Sequence, residues 1–181
     1  VYKRQDLKAK ADGTTVAWVQ AYIVAGIKSS TDMSISSEND VVFGTQPTGV
    51  KATAFLIADD RGESDYKNCS AVNLSGKTAG CSEVKAALNL VDNATTPLPR
   101  LVTLKGTLVK NTWGLPGLKE VTTAILEDGT IIGEGGDEPT PPVGGVTFFE
   151  ESFASDKGTF TIEDKTRPTK VSEIWKWESY T

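Results

Sequence analysis

One segment breaks the rhythm of this chain. Among runs with the two-residue alternation of β-strands, "SEVKAALNLVDN" (82–93) places Val84, Ala87, Leu88 and Val91 at i, i+3, i+4 and i+7, the stripe of a short amphipathic helix. Ser82 reads as its N-cap, Glu83 stands in the first turn where the helix dipole favours an acid, and "ATTPLP" ends it. Three strand-like runs precede it: "VAWVQAYIVAGI" (16–27), "ATAFLIAD" (52–59) and "SAVNLS" (70–75). Two follow, "RLVTLKGTLVK" (100–110) and "LKEVTTAIL" (118–126). This β-β-β-α-β-β order predicts an all-β fold with one short helix, a five-stranded OB-fold Greek-key barrel whose bottom the helix plugs. Other five-stranded barrels and an α+β roll share the pattern. Gly106, on the aliphatic face of the fourth run, marks a sharp bend or a close backbone approach.

The barrel accounts for residues 1–130 of 181, a usual size for one domain. A Gly, Pro and acid-rich linker follows at 131–146, containing "GEGGDEPTPPVGG". Residues 147–181 hold four phenylalanines and two tryptophans, more aromatic surface than so short a piece can bury alone, and read as the incomplete start of a second β domain. Charge divides in the same way. Residues 1–130 carry 14 Lys+Arg and 14 Asp+Glu, whereas 131–181 carry 5 and 10, so the net −5 belongs to the tail. A neutral main domain argues against tight binding along a phosphate backbone.

The chain contains no histidine, which removes imidazole-based triads and His-ligated metals. Cys69 and Cys81 have eleven residues between them; in an exported protein they can close a disulfide, in a reducing compartment they are two buried thiols, and alone they do not complete a zinc site. Asp59, Asp60, Glu63 and Asp65 crowd the hairpin tip "DDRGESD" without the spacing of an EF-hand loop. A solvated turn is the plainer reading, and nothing builds a catalytic pocket around them. No metal or cofactor is expected, and the chain is not read as an enzyme. No apolar run reaches the ~18–20 residues of a membrane helix. The start at Val1, without methionine, suggests a mature or trimmed chain.

OB-folds hold ligands across strands two and three, between the loop joining strands one and two and the loop joining four and five. Here those loops are 28–51 and 111–117. The second carries Trp113, either a stacking platform or a plug over the barrel rim with Leu115 and Leu118. Trp18, Gln20 and Tyr22 share one face of the first strand, an amphipathic strip that lines the groove or meets a neighbouring domain. Lys28, Lys51, Lys105, Lys110 and Lys119 flank the presumed groove and can meet phosphates, or are ordinary surface lysines.

Together "WVQAYIVAGI", "FLIADD", "VKAALNLVDN", "LVTLKGTLVK" and "WGLPGLKEVTTAIL" resemble an uncharacterised OB-fold domain family of exported Bacteroidota proteins, over about residues 12–128. The specific parts are "ALNLVDN" and the Gly-x-Leu, aromatic, Gly-x-Pro-Gly-Leu sequence within "LKGTLVKNTWGLPGLKEVT". The tail "FFEESFASDKGTFTIED" with "IWKWES" is similar to the opening strands of choice-of-anchor jelly-roll domains. The resemblance implies export to the periplasm or outer surface, as by a lipoprotein anchor. The expectation is a non-catalytic binding or adaptor module, taking a glycan or single-stranded nucleic acid on Trp113, Trp18, Gln20, Tyr22, Lys105, Lys110 and Lys119. The alternative is a spacer without a ligand that presents a neighbouring domain of the same polypeptide.

Overall fold

A computed structural model describes residues 2–3, 7 and 9–135. The expected linker beyond 135 and the second β domain lie outside the described residues. Eight strands are present among the described residues: β1 (Tyr2–Lys3), β2 (Val16–Lys28), β3 (Val41–Phe43), β4 (Val50–Ala58), β5 (Ser70–Asn73), β6 (Arg100–Thr112), β7 (Leu115–Leu126) and β8 (Ile131–Gly133). The helix α1 spans Cys81–Leu88.

Five of these strands close a barrel in the order β2-β4-β5-β7-β6, with β6 returning to β2. Every pairing in the ring is antiparallel except β5 with β7. The length of β2 makes closure possible. Val16–Ile23 pair with β6 on one edge, while Tyr22–Lys28 pair with β4 on the other, across two register shifts that curl the strand. Where β6 ends, β3 takes its place beside Ala25–Ile27. The small strand β1 lies parallel to Val19 and Gln20, and β8 extends the sheet beyond β7.

The inward residues form the main core, with Val19, Ala21, Ile23, Phe55, Ile57, Val72, Leu104, Leu108 and Leu118 at its centre. Val84 and Leu88 of α1 enter it, as the apolar stripe predicts. Gly106 behaves as its position suggests: a Cβ there would meet the Lys119 carbonyl oxygen at 3.0 Å, where β6 and β7 shift register.

The structure changes the helix boundaries. Its N-cap is Gly80, at φ 87°, and the Ser82 hydroxyl instead donates to Glu83 Oε2. It ends at Leu88 because Asn89 turns extended; the Asn89 amide donates to the Lys85 carbonyl, and its Oδ1 accepts from the Asp92 N–H. Leu90 is therefore buried and Val91 is exposed. The fifth barrel strand begins at Leu115 rather than at 118, so the expected loop 111–117 contracts to a two-residue turn.

Candidate functional site

That turn consists of Trp113 and Gly114, at φ 55° and 84°. A two-residue hairpin matching the right-handed twist of its strands needs positive φ at both positions. Glycine adopts it without strain, but a tryptophan there costs about 1–2 kcal/mol. Packing of the partly buried indole offsets that cost. Trp113 packs onto a second apolar cluster outside the barrel, made by Val24, Ile27, Ala54, Leu56, Ala58, Cys69, Ala71 and Leu115. These are outward residues of β2, β4 and β5, with Cys69 just before β5 and Leu115 at the start of β7, so this sheet is covered on both faces.

The cover is the polar loop after β2. Residues 29–40, here called the strap, cross the outer face and insert Ile35, which is 6% exposed. The Tyr66 hydroxyl donates to the Ser36 carbonyl oxygen at 3.3 Å, and Gly114 abuts the Ser34 hydroxyl. Asp40 ties the strap internally, its Oδ2 accepting from the N–H and hydroxyl groups of Ser36 and Ser37. Those hydrogen bonds, Ser36 first, hold its carboxyl down at about 2. Lys51 lies over the indole, its Nζ 5.0 Å from the ring centroid. Trp113 Nε1 is buried and makes no hydrogen bond. The partly buried indole thus packs beside Leu115 on this cluster, next to the strap that inserts Ile35 between loops 28–51 and 111–117.

The strip Trp18, Gln20, Tyr22 lies elsewhere. Paired residues share a face, and the register sets Trp18 beside Lys105, Gln20 beside Thr103 and Tyr22 beside Leu101. Lys105 Nζ stands 5.7 Å from the Trp18 ring centroid, and Gln20 Nε2 donates to Thr103 Oγ1 at 3.4 Å. Lys119, exposed, pairs with Thr107, which pairs with Val16. The structure thus joins Trp18, Gln20, Lys105 and Lys119 on one surface of β2, β6 and β7. Tyr22 leans away onto the strap-side cluster. Lys110 is exposed near the β6–β7 turn. Trp113 lies eight residues beyond Lys105, roughly 26 Å along an extended strand, so the two tryptophans do not share a site.

The disulfide alternative is corrected. Cys69 and Cys81 are both buried thiols with no bond between them. Cys69 belongs to the strap-side cluster and lies 3.5 Å from the Asp65 carbonyl oxygen. Cys81 begins α1 and donates to Glu120 Oε2 at 3.8 Å. Burial, then the Glu120 carboxylate, pushes the Cys81 thiol up, the reverse of an activated nucleophile. Glu120 also accepts from the Lys77 and Thr78 N–H groups and the Thr78 hydroxyl, and these bonds, that of the hydroxyl first, hold its own carboxyl down.

The acidic tip is used locally. Asp60 accepts from Gly62 N–H, Glu63 from Ser64 and Asp65 N–H, and Asp65 from Lys67 N–H, each closing a turn. Among the described residues no group of three or more Asp, Glu, Cys or His is placed to hold a metal ion, and no helix is long and apolar enough to cross a membrane.

Sequence reading missed the strap's role. Its signal was Ile35, a lone aliphatic residue in a polar loop, followed by "SSEND", whose serines and aspartate form the tie.

A closed five-stranded β-barrel with one short helix and a self-covered outer face defines the class. Residues 3–127 match the family described as a domain of unknown function, DUF6359, and the chain belongs to that family. No curated protein and no solved structure matches the chain.

Proposed function

We propose that this chain carries a non-catalytic, OB-type binding module of an exported bacterial surface protein, and that its ligand docks on the face around Trp18. The connectivity supports the OB reading: three strands, a helix and two strands, with the third and fifth barrel strands parallel. Export, Bacteroidota origin and a following jelly-roll domain rest on the sequence resemblance.

One observation carries the choice of face. The Trp18–Lys105 pair stands on a sheet surface with exposed Gln20 and Lys119 around it, while the opposite groove is filled by Ile35 and Trp113. An indole beside an amide, hydroxyls and ammonium groups suits an extended polar ligand with stackable rings, a glycan or single-stranded nucleic acid. The sealed groove favours a second reading, a spacer that presents a neighbouring domain and has no ligand.

Screening glycan and oligonucleotide libraries against the wild type and Trp18→Ala separates them. Binding lost in the variant supports the module. Silence across both libraries supports the spacer and removes the module. Protease accessibility on intact cells tests surface exposure.

A further inference from the structure

We infer that the Trp18 face recognises an acidic glycan, a chain of sugars bearing carboxylates, stacked on the Trp18 indole with its carboxylates beside Lys105 and Lys119. This rests on the binding-module reading and names its ligand class. Three adjoining rows of paired residues build the face: Val16, Thr107 and Lys119; Trp18, Lys105 and Thr123; Lys3, Gln20, Thr103 and Ile125, with Thr103 and Thr123 buried beneath their neighbours. The rows bring Lys105 and Lys119 together without a carboxylate among them, and Glu134 reaches them through its backbone carbonyl, which accepts from the Thr123 hydroxyl. The barrel as a whole has as many acids as bases, so this segregation gives the face a local sign that net charge conceals.

The Lys105 ammonium stands over the Trp18 ring, 5.7 Å from its centroid. A sugar stacking on the indole therefore meets a positive charge at its rim. Lys119 lies one row and one strand from Lys105, roughly 8 Å between side-chain bases. A neutral sugar gains the stacking and the hydrogen bonds of Gln20 and Thr107; a carboxylated sugar gains the two ammonium groups as well. Single-stranded nucleic acid fits less well, because such sites stack successive bases on several aromatic rings along a basic track. Here Trp18 is the aromatic residue in the three rows, and the cations are lysines, which lack the planar fork of arginine.

The test measures binding of the full chain to acidic hexasaccharides (galacturonate, mannuronate and glucuronate-containing), to their carboxyl-reduced forms, and to hexathymidylate. The expected result is binding of at least one acidic hexasaccharide, weakened about tenfold by Trp18→Ala. The Lys105→Gln, Lys119→Gln double substitution should weaken it several-fold, as should carboxyl reduction of the sugar. The lysine pair lies outside the core, so it remains informative if Trp18→Ala fails to fold. Equal binding of reduced and acidic sugars, or tighter binding of hexathymidylate, overturns the acidic-glycan inference but leaves the module reading intact. Binding indifferent to both variants overturns the assigned face, and no binding by any probe overturns the inference and the module reading together.

Discussion

The backbone N–H of Ile35 donates to the carbonyl oxygen of Trp113 at 2.9 Å. The bond ties the middle of the strap to the turn between β6 and β7, where the indole and the Ile35 side chain share one apolar cluster. Neither segment could cover the face alone. The strap is otherwise polar, and the turn pays in backbone strain for the ring it inserts.

Ile35→Ala should therefore loosen the strap while leaving the barrel closed. Truncating a buried isoleucine to alanine costs about 2–5 kcal/mol, and a site at the cluster's edge belongs at the lower end. Amide hydrogen exchange reads the result: protection falls at residues 29–40 and stays unchanged at Phe55 and Leu104 in the barrel. Uniform loss across both regions would mean that strap and barrel unfold as one unit.

Gly114→Ala tests the turn. The added Cβ would be held at φ 84° and driven into the Ser34 hydroxyl, so backbone strain and a steric conflict act together. A loss of about 2–3 kcal/mol is expected in urea unfolding. A change below about 0.5 kcal/mol would show that turn and strap adjust without difficulty.

The barrel was legible because its signals are local. Five alternating runs and one helical stripe fixed the element order, and Val84 and Leu88 reached the core as their spacing required. The errors arose where tertiary contacts overrode local pattern. "GLPGL" looks like a loop, yet Gly117 is in β7, paired with Ala71 and Val109, and it is glycine because the Ala71 carbonyl of β5 presses where a Cβ would be. Asn89 ended the helix a turn early by capping it with its own amide. The candidate site was less legible still. Trp113 and Trp18 looked like parts of one groove, and only the pairing of Trp18 with Lys105 on one face, and of strap with turn on another, separates them.

Asp40 gives the strap an acid dependence whose sign can be worked out. An aspartate in the unfolded chain titrates near 3.9, whereas hydrogen bonds from Ser36 and Ser37 hold Asp40 at about 2. Its folded value is lowered, so its stabilisation is complete above about pH 4 and is lost as pH falls towards 2. Asp40→Asn should flatten that part of the melting-temperature profile. Asp12, lowered by Thr15 and Thr14, also titrates in acid. The informative quantity is thus wild type minus variant between pH 5 and 2. A difference that does not change with pH would show that Asp40 acts through shape rather than charge.

Ser70 should be a site where a substitution stabilises. It pairs with Ile57, whose side chain lies in the main core, so Ser70 also faces the barrel interior. Ser70 is fully buried and its Oγ makes no hydrogen bond. A buried hydroxyl left without a partner costs about 1–3 kcal/mol of desolvation, and alanine removes it with little change of volume. Ser70→Ala should raise the urea midpoint by the equivalent of about 1 kcal/mol with an unchanged m-value. A lower midpoint would mean that the hydroxyl is held by a buried water in solution, and Ser70→Thr would then be tolerated better than Ser70→Val.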